Sequence, residues 1–240
     1  MLKKRGQVTI FVIIAILIVA GIVLFSYVQN KNSSLTPSIP KDVQPIYNYL
    51  KDCFEKEVYA SIYEIGQFGG YVSPPNDSLD IGIPIYLNKY KKEIPSLEFI
   101  EIQTSELIKE NIQKCNFNFT GFGIKKDNPK ILTSILNNQV KINIEYSLTV
   151  SKEESSYMLK NFPEVNIPIK FGLMYNAALE IIRIQEKNSE SICLSCLSEL
   201  EEEYNFDINA LEYEEGVIIY GISDTQEINN LTYEFNFAIK

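Results

Sequence analysis

Residues 140–150 read VKINIEYSLTV, a stretch in which apolar and polar side chains alternate without a break. Alternation with a period of two is typical of a strand that has one face on the core and the other toward solvent. The stretch therefore predicts a half-buried strand, the clearest strand in the chain. The apolar side of this strand comprises Val140, Ile142, Ile144, Tyr146, Leu148 and Val150.

Strand patterns continue on both sides of this stretch. Asn137-Asn138 is typical of a hairpin turn and predicts a preceding strand near residues 131–136. Residues 165–171 alternate again, and Pro168 on their other face indicates an edge strand. Further strands are predicted over residues 206–210, 217–222 and 231–239, with a turn at residues 214–216.

Helical spacing interrupts these strands. Apolar residues recur every three or four positions over residues 173–186, and a shorter helix is predicted near residues 194–203. A chain that runs strand, strand, helix, helix and then three strands favours an antiparallel sheet with helices on one face. We therefore predict an α+β fold, with an antiparallel β-sheet domain over residues 121–240.

Two helices precede this region and predict a helical subdomain over residues 42–120. The first is expected over about residues 42–65, with Asp42 as its N-cap, and the second over about residues 97–114. Between them, residues 81–87 predict a short strand whose Pro84 suits a sheet edge. We expect the helical pair to pack with the antiparallel sheet.

Cys53 and Cys115 lie on, or just past, the apolar faces of these two helices. If the helices pack together, a disulfide between the two residues closes a loop of about 60 residues and contributes roughly 3–4 kcal/mol. The alternative is a pair of free buried thiols that behave as small apolar groups. The disulfide is favoured for a body outside the cell.

Cys193 and Cys196 form a Cys-x-x-Cys motif at the start of a predicted helix. A local structural disulfide, a redox-active pair, half of a metal site and two free thiols are all open readings of this motif. Acidic neighbours, Glu190 before the motif and the Glu-rich segment 199–203 after it, raise thiol pKa values and oppose redox activity. A structural disulfide is the favoured interpretation.

The most apolar stretch lies near the N-terminus, where residues 8–28 read VTIFVIIAILIVAGIVLFSYV. About 20 apolar residues at ~1.5 Å rise each match a hydrocarbon core roughly 30 Å thick. Residues 7–28 therefore predict a transmembrane helix. A retained anchor is favoured over a cleaved secretory signal, because the run exceeds the usual ~7–15 residues and lacks a small-residue cleavage site.

Charge around this helix predicts its orientation. Lys3, Lys4 and Arg5 lie in the leader, residues 1–6, and only Lys31 follows the helix closely. Basic residues favour the cytoplasmic side, so we expect a cytoplasmic N-terminus and an extracytoplasmic C-terminal body. The polar, Pro-containing segment 29–41 predicts a semi-extended tether between the membrane and that body.

The sequence Lys4-Arg5-Gly6, followed by Gln7 and a β-branched apolar helix, resembles the leader of archaeal type IV prepilins. In that family a membrane peptidase cuts after the Gly, so the resemblance implies cleavage between Gly6 and Gln7. The resemblance is confined to the first ~25 residues. Many type IV pilins carry Glu where this chain has Phe11, and an uncleaved signal anchor is the alternative.

The remainder of the chain resembles N-terminally anchored proteins of small-genome archaea. The resemblance lies in the order of its parts: a helix, the sequence Gly69-Gly70-Tyr71, a second helix and then Cys115. That group has no assigned function, so the resemblance implies a location rather than an activity.

The composition excludes several classes of function. The formal net charge is −9, and subtracting the three positive charges of Lys3, Lys4 and Arg5 leaves −12 for the remainder. Such a charge argues against nucleic acid as a partner. The chain contains no His, which removes the commonest general base and zinc ligand and every Ser-His or Cys-His catalytic arrangement. We predict no catalytic, metal-binding or cofactor-binding residue, and no cofactor.

Two further patterns are a cluster of acidic residues and a set of glycosylation sequons. The densest acidic cluster lacks the spacing of a Ca²⁺ loop, and a solvated strand face is the favoured interpretation. This cluster comprises Asp207, Asn209, Glu212, Glu214 and Glu215. Four Asn-x-Ser/Thr sequons are candidate glycosylation sites if the body lies outside the cell. Their acceptor residues are Asn32, Asn76, Asn118 and Asn230.

These observations favour a single-pass membrane protein with a structural or interaction role at the cell envelope, as a component of a pilin-like assembly. The expected partners are the membrane and other envelope or pilin-like proteins. Two alternatives stay open: an envelope thiol–disulfide oxidoreductase that uses Cys193 and Cys196, and an anchored ligand-binding receptor.

Overall fold

The computed structural model describes residues 39–89, 91–187, 191–228 and 231–240, which form an α+β fold with four helices and ten strands. The helices are α1 (Gln44–Gln67), α2 (Leu97–Ile112), α3 (Phe171–Lys187) and α4 (Leu194–Tyr204). The strands are β1 (Ile85–Asn88), β2 (Lys91–Lys92), β3 (Gly123–Lys126), β4 (Lys130–Ile135), β5 (Val140–Lys152), β6 (Ser155–Asn161), β7 (Val165–Ile167), β8 (Phe206–Glu214), β9 (Val217–Ile228) and β10 (Leu231–Ile239). The predicted α+β class is confirmed and the strands pair mostly antiparallel, but they form two sheets where a single antiparallel sheet was predicted.

The predicted leader, membrane helix and most of the tether lie outside the described residues. Among those described, no helix combines the length and the apolar character needed to cross a membrane.

The first sheet has the strand order β2-β1-β10-β9-β8. Strands β8, β9 and β10 pair antiparallel, as the hairpin patterns predict, but β1 runs parallel to β10. The predicted strand at residues 81–87 begins only at Ile85 and lies between two other strands rather than at the edge. Pro84 directly precedes it and has no N–H to donate, but its carbonyl oxygen accepts a hydrogen bond from the Ala238 N–H and so still pairs with β10.

The second sheet is built around β5, the strand that the opening alternation predicts. Strands β3 and β4 pair with β5 along its length, as do β6 and β7. The turn before β5 is closed by a hydrogen bond from the Leu136 N–H to the Gln139 carbonyl oxygen. All six predicted apolar residues of β5 are buried.

Three details of this region differ from the expectation. The predicted strand 165–171 ends at Ile167, because Phe171 already belongs to α3. Pro168 therefore lies between strand and helix rather than within an edge strand. Strands β3 and β6 were not predicted, since their short stretches lack a clean apolar alternation.

Helix α1 begins later than its predicted cap. Its N-cap is Val43, which has no side-chain cap, and Asp42 instead lies 3.7 Å from Lys152 in an ion pair. The second helix, α2, begins at Leu97 as predicted. Ser96 caps it, since the Ser96 hydroxyl accepts a hydrogen bond from the Phe99 N–H. A Ser at that position satisfies a donor that no helix residue can reach.

Helix α1 contacts both sheets. In its first half, the Phe54 ring stacks on the Tyr146 ring of β5, with 5.7 Å between the ring centroids. Toward its end, the Tyr63 ring meets the Tyr233 ring of β10 edge to face, also with 5.7 Å between centroids. Helix α2 packs along α1, with a buried hydrogen bond of 3.0 Å from the Asn111 amide to the Ser61 hydroxyl. Buried side chains of the two helices thus form part of the core together with those of the strands.

Helices α3 and α4 cover the first sheet. The centroid of the Phe171 ring of α3 lies 5.5 Å from that of Tyr233 and 5.4 Å from that of Phe235. Helix α4 packs on β8. The Lys170 ammonium, just before α3, lies 3.1 Å from the buried Asp224 carboxylate of β9. This ion pair ties the start of α3 to the sheet.

Candidate functional site

All four cysteines are paired in the structure. Cys53 of α1 bonds to Cys115, which follows α2, with 6.2 Å between their Cα atoms. Cys193 bonds to Cys196. The free-thiol alternatives therefore do not describe this structure, in which no cysteine is free.

The Cys193–Cys196 disulfide lies at the start of α4, where Cys193 is the N-cap residue. Both cysteines are half-buried, and Leu194 between them is 70% exposed. A helix N-terminus stabilises a thiolate, whereas the exposed Glu199, Glu202 and Glu203 of the same helix disfavour one. The bond is accessible to an external thiol, and in this oxidised form its sulfurs are not thiolate ligands for a metal.

The acidic cluster lies along β8 and the turn that follows it. Asp207 and Asn209 are exposed, whereas Phe206 and Ile208, which alternate with them along the strand, are buried. Among the described residues, no group of three or more Asp, Glu or Cys side chains is arranged to hold a metal ion.

Two of the four sequons lie on the described part of the chain. Asn76 lies in the loop before β1, Asn118 lies in the loop before β3, and both are exposed. Asn32, Asn230 and the predicted processing residues Gly6 and Gln7 lie outside the described residues.

Two clefts open on the surface. One, of about 910 Å³, lies at the end of the first sheet between β1, β2, β9 and the end of α3, and Lys89, Lys92 and Glu186 contribute to its lining. Lys92 and Glu186 pair with each other at 3.0 Å. The other, of about 520 Å³, lies between α2 and β4.

The outer edge of β4 is closed by side chains of α2. The Thr133 N–H donates to the Ser105 hydroxyl at 3.1 Å, and the Ile135 N–H donates to the Glu101 carboxylate at 2.7 Å. An exposed strand edge is a ready site for pairing with another chain. Because α2 satisfies these two donors, β4 does not offer them to an added strand.

The outer face of the second sheet is open and basic. Strand pairing places Lys125, Thr149 and Met158 in one row across β3, β5 and β6. It places Lys130 opposite Glu145, Leu132 opposite Asn143, and Ser134 beside Lys141 and Asn166 in further rows. We call this surface the open face: Lys125, Lys130, Leu132, Lys141, Glu145, Met158 and Lys160.

Lysines are concentrated on the open face. It contains four lysines and one carboxylate, Glu145, which lies 3.5 Å from Lys130, and beside it Glu98 and Glu106 of α2 line the same cleft as Lys130. Leu132 and Met158 are 49% and 48% exposed between these charges. The whole chain, by contrast, carries a formal charge of −9. A polar outer face is usual for a one-sided sheet, but a net positive face on an acidic protein indicates attraction to anionic groups.

An acidic surface lies on the other sheet. Helix α4 exposes Glu199, Glu202 and Glu203, and it packs on β8, whose Asp207 and Glu212 are also exposed. We call this surface the acidic helix face: Glu199, Glu202 and Glu203. The described body therefore carries opposite charges on two distinct surfaces.

Burial raises the pKa values of several tyrosines, including Tyr146 of β5, and it does so most strongly for buried tyrosines of the first sheet. Desolvation raises the pKa values of Tyr86 and Tyr233 well above the ordinary 10.0, and it raises the pKa of Tyr220 to about 12. These groups stay neutral near pH 7. They serve packing, and nothing in their surroundings suits proton transfer at that pH.

Sequence reasoning did not find the open face. Lys141 occupies a polar position of the opening alternation, which was a usable signal for one residue. Lys125 and Lys160 belong to β3 and β6, two strands without a clear pattern. In comparisons with known proteins, neither a protein-family model, nor a curated protein, nor a solved structure matches this chain.

Proposed function

We propose that this chain is a single-pass membrane protein whose body lies outside the cytoplasm and acts as an interaction component of the cell envelope, in a pilin-like assembly. The apolar run of residues 8–28 provides the membrane helix, and residues 29–41 tether the body to it. The basic leader, residues 1–6, is the cytoplasmic end.

The pairing of all four cysteines carries this proposal. Disulfides persist in oxidising compartments and are rare in the cytosol. Here two bonds use every cysteine of the chain, and one of them joins the two helices at the centre of the fold. An extracytoplasmic body accounts for this pairing.

The test is the intact mass of the protein taken from native membranes without reducing agent. Two disulfides lower the mass by about 4 Da relative to the reduced chain, since each bond forms with loss of two hydrogens. Recovery of the oxidised chain in the membrane fraction, with the body sensitive to protease added outside intact cells, supports the proposal. A fully reduced chain, or a body protected in intact cells and cleaved only after lysis, contradicts it.

The same spectrum tests the proposed leader. A chain that lacks residues 1–6 establishes cleavage between Gly6 and Gln7, as in prepilin-type processing. A chain that retains Lys3, Lys4 and Arg5 leaves an uncleaved anchor and rules out the pilin-like processing step, while the anchored body stands.

A second candidate function is envelope thiol–disulfide exchange, favoured by the half-buried Cys193–Cys196 bond at the start of α4. Replacement of both residues by Ser abolishes such an activity and leaves an interaction role intact. The assay is oxidation of a reduced, unfolded substrate protein by the purified, oxidised chain, in which the Cys193–Cys196 disulfide becomes two thiols as the substrate gains a disulfide. Equal rates for the wild-type chain and the double variant exclude this function.

A further inference from the structure

We propose that the open face docks onto the acidic helix face of a second copy of this chain, so that copies associate head to tail. This inference rests on the proposed function, because it names the partner through which the anchored body would build an assembly.

The side chains of the open face lie together on the outer side of the second sheet. Register across β3, β4, β5, β6 and β7 places six of the seven opposite the buried residues of β5, and Lys160 is exposed next to the buried Leu159. Three of its lysines, Lys125, Lys130 and Lys160, are exposed, and Lys141 is half-buried. Leu132 and Met158 add apolar surface to the same face.

The charge of the open face favours an acidic protein surface as its partner. A positive surface with a small apolar component fits an acidic protein surface better than an apolar one. Such a surface is present on the chain itself, since Glu199, Glu202 and Glu203 are exposed on α4. Leu194, 70% exposed on the same helix, offers an apolar counterpart to Leu132 and Met158.

The two surfaces lie on different parts of the molecule. The open face belongs to the second sheet, whereas the acidic helix face belongs to α4 against the first sheet. Different patches on the two partners define a heterologous contact, and such contacts generate rings or open filaments rather than closed twofold dimers. The net negative charge of the chain opposes random association, so specificity comes from the local match.

The experiment uses the full-length protein in detergent, with two differently tagged copies co-expressed and one tag used to recover the other. We expect recovery of the second copy at low salt, and at least a tenfold loss near 1 M salt, where the Debye length falls to about 3 Å. Salt-independent recovery contradicts an electrostatic contact.

Charge reversal identifies the surfaces. Lys125→Glu with Lys160→Glu on the open face, or Glu199→Lys with Glu202→Lys on the acidic helix face, lowers recovery at least tenfold when both copies carry it. Pairing one copy of each variant restores recovery, because one complementary contact is rebuilt with its charges exchanged.

The matched control is Lys56→Glu with Lys89→Glu, which makes the same change in charge at two exposed lysines that belong to neither surface. We expect recovery as in the wild-type protein, and circular dichroism confirms that every variant is folded. If the control and the open-face variant lose recovery equally, or if mixed variants are not restored, the proposal is wrong. A membrane-bound, oxidised chain that fails this test overturns the docking inference alone, whereas a reduced cytoplasmic chain overturns the proposed function.

Discussion

The hydroxyl of Tyr86 donates a 2.6 Å hydrogen bond to the Gly69 carbonyl oxygen, whereas the hydroxyl of Tyr233, equally buried, has no partner among the described residues. Both rings pack in the core of the first sheet: Tyr86 stacks on Phe237 at 5.0 Å, and Tyr233 lies 5.5 Å from Phe171. The two residues therefore differ chiefly in whether a buried polar atom is satisfied.

This difference predicts opposite outcomes for the same substitution. Tyr86→Phe removes a partner from a buried carbonyl and lowers the free energy of unfolding by about 1–2 kcal/mol. Tyr233→Phe removes an unpaired hydroxyl and leaves stability unchanged or raises it by up to about 1 kcal/mol. Urea unfolding followed by circular dichroism measures both. An equal loss in the two variants contradicts the assignment of their hydrogen bonds.

The tyrosines also predict how stability depends on alkaline pH. Burial raises the pKa values of Tyr86, Tyr220 and Tyr233 in the folded state, to about 12 for Tyr220, above the ordinary 10.0 of an unfolded chain. Their contribution is complete below pH 10 and is lost as the pH rises through the folded-state values, because the unfolded state releases its protons first.

Thermal unfolding of the full chain at intervals from about pH 9 to about pH 12 measures this loss. Tyr233→Phe should make the decline with pH shallower, since Phe does not titrate. The absence of Trp leaves the ultraviolet absorbance of tyrosinate as a direct second readout. A wild-type protein whose stability is constant over this range contradicts the burial of these hydroxyls.

At the scale of elements, the approach of α1 to β10 depends on a residue without a side chain. A Cβ atom at Gly66 would lie 2.6 Å from the Tyr233 hydroxyl oxygen and closer still to the Glu234 carbonyl oxygen. Real side chains do not approach backbone so closely, and a backbone atom in a sheet cannot move aside without disturbing its neighbours.

Helix propensity and packing therefore make opposite demands at this position. Gly66→Ala should lower the free energy of unfolding by about 2–3 kcal/mol, although Ala favours a helix over Gly by about 1 kcal/mol. The matched control is Ala60→Gly on the exposed side of the same helix, with an expected loss of about 1 kcal/mol from propensity alone. A stabilised Gly66→Ala protein would show that α1 does not pack against β10 as described.

The two disulfides join elements over very different distances in sequence. Cys53 and Cys115 are 62 residues apart and join α1 to the end of α2, whereas Cys193 and Cys196 are three residues apart within one turn. The chain-entropy estimate gives about 4 kcal/mol for the long loop and about 2 kcal/mol for the short one.

Replacing each pair by Ala tests this order. We expect the Cys53→Ala, Cys115→Ala protein to lose roughly twice as much stability as the Cys193→Ala, Cys196→Ala protein, as measured by urea unfolding without reductant. Wild-type protein in reductant serves as the combined reference. A larger loss of stability in the Cys193→Ala, Cys196→Ala protein would contradict this order and would mean that the short-loop disulfide stabilises structure beyond α4.

At the scale of the whole molecule, like charges predominate. The chain has 31 acidic and 22 basic residues, and five of the basic ones precede Asp42, so the body carries 17 positive against 31 negative charges, a net −14. Repulsion within such a body destabilises the compact state, and dissolved salt screens it.

Salt should therefore act in opposite directions on folding and on association. Raising the ionic strength from about 10 mM to about 150 mM should raise the melting temperature of the full chain by a degree or more, whereas the docking proposed for the open face weakens. Thermal denaturation by circular dichroism in detergent measures the first effect. A melting temperature that falls with salt would indicate that attractive ion pairs outweigh the net repulsion.

Much of the local structure could be predicted from short patterns. The period of two over residues 140–150 predicts β5 and its buried side, and the polar turn at residues 214–216 predicts the hairpin of β8 and β9. Helices α2 and α3 follow from apolar spacing within two residues of their observed bounds. Errors arise where local signals mislead, as at Asp42, whose carboxylate pairs with Lys152 instead of capping α1.

The α+β class and the two faces of β5 follow from the order of residues along short stretches, and so both could be predicted from the sequence. The parallel pairing of β1 with β10 joins residues about 150 positions apart, and no short pattern records it. The tertiary structure likewise brings Lys125, Lys130 and Lys141 to one face. Their grouping depends on the register of separate strands, and a shift of one residue in any strand would turn its lysine to the opposite side of the sheet.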